Sequence, residues 1–399
     1  MKLKKICFVT DEYDHPDFHA TGGIGTFIKN LAYQLTERGY EVHIFTYLYE
    51  PGRESLIIDN GIKIHTISRV NFLTENLKRL IHKLSFLKSK RKLIDAFIYK
   101  VSFTVQLYLF SFKNKFDLYE FNDYLGDSCF FFKKNVVIRC HGNAKTLHEH
   151  MGYPRSDIPV FFEKIAFKFH KNIVCVSEYC KDTISESFDL KVKPQVIYNS
   201  VKSDYSLIED LERENRITKS IFFFGSLRER KGLKIACLVV NRLIEKFPEV
   251  SFHIIGKNEA NNYENICLNL LSSQAQLRTK YYGAMEQSEA LRNLKNAHVV
   301  IFPSFGENFS LALLETMALG KIVVTSNIPS FNEVIVDNEN GFLANSEDEY
   351  VQSIQEIFLG KKNINIEQIE INAYNTIVNN FDNRILVNEN IKYYESILN

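Results

Sequence analysis

Phe302-Pro303-Ser304-Phe305-Gly306-Glu307-Asn308-Phe309-Ser310-Leu311-Ala312-Leu313-Leu314-Glu315-Thr316-Met317-Ala318-Leu319-Gly320 decides the architecture. An apolar run, His298 to Pro303, leads into a turn rich in Ser and Gly, and then into apolar residues at helical spacing. That is strand, turn and helix. Glu307 falls in the turn, and the reading places Glu315 two turns into the helix. The backbone N–H groups of Asn308, Phe309 and Ser310 stand at a helix start, where unpaired donors and the helix dipole favour an anion. The two carboxylates suit a ligand with hydroxyls; the plainer alternative has Glu307 capping the helix and Glu315 pairing with a neighbouring cation.

The same alternation extends in both directions. Ser220 to Leu227, Ser251 to Gly256, Tyr281 to Gly283 and Ile322 to Thr325 read as further strands separated by helical patterns. Upstream, Lys5 to Thr10, Glu41 to Tyr47, Lys63 to Ser68, Phe116 to Glu120, Asn135 to Cys140, Asn172 to Ser177 and Pro194 to Tyr198 repeat the scheme. Strands alternating with helices imply mainly parallel, doubly wound α/β sheets. With 399 residues, two domains are expected: 1–201, a polar linker at 202–219, and 220–363, followed by helices over 364–399 that pack back across the domains.

Two further loops sit at strand ends. Thr21-Gly22-Gly23-Ile24-Gly25 opens the first helix and is read as a phosphate cradle or an ordinary tight turn. Phe224-Gly225-Ser226-Leu227-Arg228-Glu229-Arg230-Lys231-Gly232 places three cations at a strand's carboxyl end, which suits a pyrophosphate. Neither fits a dinucleotide fingerprint or a P-loop, so NAD and ATP are poor candidates. Asp11-Glu12 and Asn122-Asp123 lack metal-ligand spacing, and no metal site is expected.

Taken in order, P-S-x-x-E-x-F-S-L-x-x-L-E-x-M-A-x-G, then Val323-Val324-Thr325-Ser326, Glu333-Val334-Ile335 and Asn340-Gly341-Phe342-Leu343, resembles the donor-site signature of the retaining family 4 glycosyltransferases. The Gly-Gly loop, Arg139-Cys140-His141-Gly142, Ile197-Tyr198-Asn199-Ser200-Val201 and Gly225 to Gly232 extend the resemblance over nearly the whole chain. It implies a GT-B fold: two facing Rossmann-like domains with a cleft between them, the first binding acceptor and the second binding nucleotide sugar. It implies transfer of a hexose-type sugar from UDP or GDP, without metal or cofactor, to a hydroxyl of a glycan or lipid-linked acceptor. By the same resemblance His141 lies by the anomeric carbon and Glu307 contacts sugar hydroxyls, these two being the catalytic pair. Glu315 contacts the ribose, Lys231 the diphosphate, and Gly22 and Gly23 the phosphates. Asn308, Phe309, Ser310 and Leu311 complete the donor loop, and Gly283, Ala284 and Met285 run beside the base. Ser226 departs from the family, which commonly has arginine there, and Arg230 is the expected substitute. The alternatives are a nucleotide-sugar epimerase and a non-catalytic nucleotide-sugar-binding subunit.

The composition is that of a globular protein, with 45% hydrophobic and 24% charged residues and a net charge of +1, so no global field recruits nucleic acid. Seven cysteines without a C-x-x-C pair read as reduced core residues. No uninterrupted apolar run is long enough to span a bilayer, and the Lys-rich start lacks the apolar segment of an export signal. Residues 71–116 carry ten lysines and arginines against Glu75 and Asp95, interleaved with apolar residues. Such a stretch lies on an anionic membrane or forms packed helices with solvated lysines. The expected location is cytoplasmic, at the inner face of the plasma membrane, and the abundance of Lys, Asn and Ile hints at a bacterial source making surface polysaccharide.

Overall fold

The structure is a computed structural model describing residues 3–15, 22–48, 55–68, 72–83, 85–203, 216–258, 262–361 and 365–399. Thr21 of the glycine loop, Asn71 at the start of the basic stretch, and residues 204–215 of the expected linker lie outside the described residues. The chain forms two compact units, Met1–Tyr198 with Leu386–Asn399, and Asn199–Ile385.

The first unit is built on eight strands: β1 (Lys5–Val9), β2 (Glu41–Leu48), β3 (Ser55–Asp59), β4 (Ile62–Ser68), β5 (Leu118–Asn122), β6 (Val136–Cys140), β7 (Asn172–Cys175) and β8 (Gln195–Val196). Their order is β3-β4-β2-β1-β5-β6-β7-β8, parallel throughout except for β3 against β4. β5 and β6 are buried at every position, as strands covered on both faces must be. The sequence reading missed β3. Its signal was the Asn60-Gly61 pair, both at positive φ (48° and 86°), which is the chemistry of a tight hairpin turn. β8 is only two residues long, shorter than the 194–198 run implied.

An aromatic cluster including Phe45, Phe103, Phe116, Tyr119, Phe121 and Phe131 fills one face of this sheet. Within the basic stretch a helix at Phe72–His82 and a turn at Ser85–Lys90 lead to a long helix, Arg91–Asn114. That helix commits Phe103 and Leu107 to the aromatic cluster, while Phe97, Val101, Val105, Leu109 and Phe112 stay exposed. By length and composition Lys88–Asn114 is long and apolar enough to span a bilayer, which a search for uninterrupted apolar runs overlooked. Its inward face is already part of the domain core.

The second unit has six strands, β9 (Ser220–Phe224), β10 (Ser251–Ile255), β11 (Thr279–Gly283), β12 (Val299–Phe302), β13 (Ile322–Ser326) and β14 (Phe342–Ala344). They are all parallel, in the order β11-β10-β9-β12-β13-β14. Leucine, valine and isoleucine dominate its core, unlike the aromatic core of the first unit. The helix Ile366–Asn380 packs in this unit, whereas residues from Leu386 onward belong with the first. All seven cysteines are free and buried.

In each sheet the chain works outward in one direction and then returns to start again beside its first strand. That reversal falls between β1 and β5 and between β9 and β12. Open α/β sheets bind ligands at such points, outside the strand carboxyl ends.

Candidate functional site

The second unit brings Arg230, Lys231 and Glu307 together at its reversal point. The loop after β9 makes a short 3-10 turn over Glu229–Lys231 and closes on Gly232, at φ 74°. A Cβ on Gly232 would sit 1.9 Å from the carbonyl oxygen of Pro303, so only glycine permits this approach to the loop after β12. The Phe305 N–H donates to the Arg230 carbonyl at 2.7 Å and fastens the two loops. Arg230 Nη1 then lies 2.8 Å from Glu307 Oε2, and Lys231 Nζ 2.6 Å from Oε1. Ser304 Oγ donates to the same carboxylate at 3.2 Å, and Arg230 also donates to the Gly306 carbonyl at 3.0 Å. Burial pushes the Glu307 carboxyl up, but Arg230 and Lys231 outweigh it and hold the group at about 2. Glu307 is therefore a buried carboxylate that stays ionised. Arg230, the expected substitute for the arginine absent at Ser226, faces Glu307, while the Ser226 carbonyl accepts the Arg228 N–H at 3.0 Å.

The helix after this loop begins later than the sequence implied. Ser310 takes an extended conformation and caps it, its Oγ accepting the Leu313 N–H at 3.3 Å, so the helix runs Leu311–Ala318. Glu315 thus lies little more than one turn in, not two. Asn308, Phe309 and Ser310 are buried ahead of it, with the Phe309 ring 5.6 Å from that of Phe381.

Glu315 meets a side chain the sequence reading did not single out: Gln287 donates to its carboxylate. The loop Gly283-Ala284-Met285 leads to Gln287, with Gly283 at φ 75° and its carbonyl accepting the Gly256 N–H at 3.0 Å. Burial pushes the Glu315 carboxyl up to about 7, with the Gln287 hydrogen bond opposing the shift. A raised carboxyl stabilises the fold at pH values below its ordinary range, and that stability is lost as pH rises through about 7. Glu315→Gln is expected to match the parent Tm at pH 5 and to exceed it by a few degrees at pH 8. Parallel melting curves at the two pH values check this; a constant difference would refute it.

In the first unit the loops after β1, β5 and β6 converge. Thr10 Oγ1 accepts from Asn122 Nδ2 at 2.9 Å, joining the ends of β1 and β5. Gly22 precedes the helix Gly23–Glu37, and its N–H donates to Glu12 Oε2 at 3.0 Å, so a carboxylate faces this helix start. His141 follows β6. Its N–H and that of Gly142 donate to Asp123 Oδ1 at 3.0 and 3.3 Å, while Asn143 Nδ2 donates to Oδ2 at 3.1 Å. The His141 ring meets Phe27 edge-on at 5.0 Å. Burial, and then the Arg139 charge, push the His141 ring down to about 3, so it is a neutral imidazole at physiological pH.

Asp123 and Glu163 were not foreseen as site residues. Asp123 was weighed only as a metal ligand, although an acid at the end of β5 lies beside the end of β6. Glu163 accepts the N–H groups of Ala144 at 2.8 Å and Leu125 at 3.3 Å, bracing the loops on either side. Its signal was its place among Phe162, Ala166 and Phe167 on the buried face of the helix Asp157–Phe169.

Residues 208–376 match the family described as Glycosyl transferases group 1, and residues 21–205 the family described as Glycosyltransferase Family 4. One component of the human phosphatidylinositol N-acetylglucosaminyltransferase is 23% identical over 84% of this chain and 65% of its own length. A phosphatidyl-myo-inositol mannosyltransferase of Mycolicibacterium smegmatis is 25% identical over 47% of this chain and 48% of its own. The matches therefore span about half to two thirds of these relatives. Among solved structures, sucrose-phosphate synthase from Thermosynechococcus elongatus has a TM-score of 0.77 at 14% identity, covering 99% of both chains. The Anabaena protein HepE, in complex with UDP and glucose, has a TM-score of 0.70 at 16% identity, covering 98% of this chain and 99% of its own. These likenesses show a shared fold.

Proposed function

Since this chain belongs to the GT-B glycosyltransferases of the family 4 kind, we propose that it transfers a hexose from a UDP- or GDP-sugar to a hydroxyl of a glycan or lipid-linked acceptor, with retention of anomeric configuration. The observation that carries this reading is the pair of cations, Arg230 and Lys231, held against the ionised Glu307 at the sheet's reversal point. An incoming diphosphate competes for both cations and leaves the Glu307 carboxylate to accept hydrogen bonds from sugar hydroxyls. Glu315 and Gln287 receive the ribose, and the loop Gly283-Ala284-Met285 runs beside the base. As the bond from the anomeric carbon to the phosphate oxygen breaks, charge develops on the diphosphate, where Arg230, Lys231 and the helix start after Ser310 meet it. The acceptor oxygen attacks from the same face, and its proton passes to the departing phosphate. Neutral His141, fixed by Asp123, contributes a polar group without adding positive charge. Stabilisation by two cations gives a reaction that proceeds without a metal.

The test is thermal unfolding with UDP, GDP, ADP and their sugar conjugates, with and without EDTA. A ligand at 100 times its Kd adds roughly 2.7 kcal/mol, a shift read easily. One nucleotide raising Tm regardless of EDTA, followed by an NMR product of retained configuration, is the expected result. No shift with any nucleotide would sink the donor reading.

Two relatives carry phosphatidylinositol in their names, which favours a lipid-borne acceptor at the membrane and a role in surface glycan synthesis. The exposed apolar face of Arg91–Asn114, with exposed Lys88, Lys90 and Lys92 at its start and Lys113 and Lys115 at its end, suits the surface of an anionic bilayer. Replacing Lys88, Lys90 and Lys92 with Gln should weaken binding to phosphatidylglycerol vesicles by roughly a hundredfold, at about 1 kcal/mol per charge. Flotation assays read this directly, and undiminished binding would refute it.

A further inference from the structure

The first unit holds a pocket of about 90 Å³. Its wall is apolar, made by Ile67, Ala96, Phe103, Ile158, Pro159 and Phe162, with the ion-paired Lys100 and Asp127 as a polar corner. An apolar recess at a strand end, open to solvent on one side, can withdraw an apolar group from water. Tyr47 and Ile67, near the carboxyl ends of β2 and β4, place it on the ligand-binding edge of the sheet.

The pocket is tied to the candidate catalytic loop through one turn. Asp123 at its start holds the His141 and Gly142 N–H groups. Leu125 and Asp127, two and four residues on, line the pocket. Leu125 adopts φ 65°, a left-handed conformation unusual for leucine. Gly126 lies so close to the backbone of Phe162 that a Cβ would fall 2.5 Å from its carbonyl carbon. One turn therefore carries both the residue that holds the His141 loop and two residues of the pocket wall. On the other side Phe97, half exposed on the long helix, meets Phe130 edge-on at 5.3 Å, and Phe130 meets Phe162 at 6.1 Å. An aromatic path thus runs from the exposed apolar helix to the pocket wall.

We propose that this pocket takes the apolar segment of the acceptor nearest its head group, an alkyl or isoprenyl chain, with Lys100, held by Asp127, meeting the phosphate where chain and head join. The proposal rests on the glycosyltransferase reading for the word acceptor, but chain binding is measured without donor. A pocket of about 90 Å³ encloses roughly three to four carbons of the chain, by comparison with the ~150 Å³ cavity that takes benzene. Each methylene withdrawn from water contributes about fourfold in affinity.

The experiment is calorimetric titration of the full chain with farnesyl phosphate, dodecyl phosphate and methyl phosphate below their micellar concentrations, and separately with UDP. Saturable one-to-one binding of a long-chain phosphate but not methyl phosphate is expected. Ala96→Trp, which fills the pocket, should weaken it at least tenfold, Ala96→Leu by less, and Lys231→Ala not at all. A preference between the farnesyl and dodecyl chains identifies the chain type, and either supports the pocket. An unchanged circular dichroism spectrum and a retained cooperative melt of the Ala96 variants show that the first unit is folded. Undiminished chain binding in Ala96→Trp, or binding that never saturates, would overturn the proposal. Chain binding without UDP binding by the parent would remove the donor reading and leave the pocket standing.

Discussion

Lys231→Ala is expected to lower kcat by 10²–10³-fold, about 3–4 kcal/mol of transition-state stabilisation, with a smaller change in KM. Lys231 lies 2.6 Å from Glu307 Oε1, and Arg230 2.8 Å from the other oxygen. In the proposed reaction both meet the charge that develops on the departing diphosphate. Arg230→Ala should act in the same direction. The double variant should lose less than the product of the two single losses, because both cations serve one carboxylate and one leaving group. A second readout follows from Glu307. With both cations its carboxyl sits at about 2. Removing one lets burial push it upward, so the acid limb of the kcat profile should move to higher pH in Lys231→Ala. Steady-state rates from pH 4 to 8 test both statements. A variant with unchanged kcat would show that the pair is a structural ion cluster only.

Arg139→Met is expected to cost the first unit about 3–5 kcal/mol, a drop in Tm on the order of 10 °C. Arg139 is wholly buried, its Nε 2.6 Å from Glu120 Oε1 and its guanidinium 5.0 Å from the Phe27 ring centre. Tyr394 OH donates to Glu120 Oε2 at 2.6 Å, and Asn390 accepts from the same arginine. Methionine fills much of the volume but leaves the Glu120 charge buried beside a single hydroxyl. The paired change Arg139→Met with Glu120→Leu should recover most of the loss, since the cost lies in the orphaned charge. Urea unfolding of parent, single and double variants separates the cases. A double variant as unstable as the single would show that packing around Phe27, not charge, dominates.

The alternation of strands and helices was legible because parallel strands buried on both faces are unbroken apolar runs, as β5 and β6 are. The hairpin strand β3 was not, because Leu56 and Ile58 point to solvent and no buried run marks it. Among the site residues, Lys231 and Glu307 could be named from motif order, and Arg230 from adjacency. Their convergence depends on the fit of Gly232 against Pro303, which spacing along the chain does not reveal. Gln287 was invisible for the same reason: nothing local distinguishes it from any glutamine at a helix start. The offset in Glu315 arose because Ser310, which reads equally well as helix or cap, is the cap.

The Arg139 network also bears on how the protein is made. The arginine belongs to β6, and its partners Asn390 and Tyr394 lie 251 and 255 residues further along the chain. Until those are made a nascent first unit carries an ion pair lacking two of its partners. Its sheet can thus form well before its buried ion network is complete, and that network waits on the synthesis of the whole second unit.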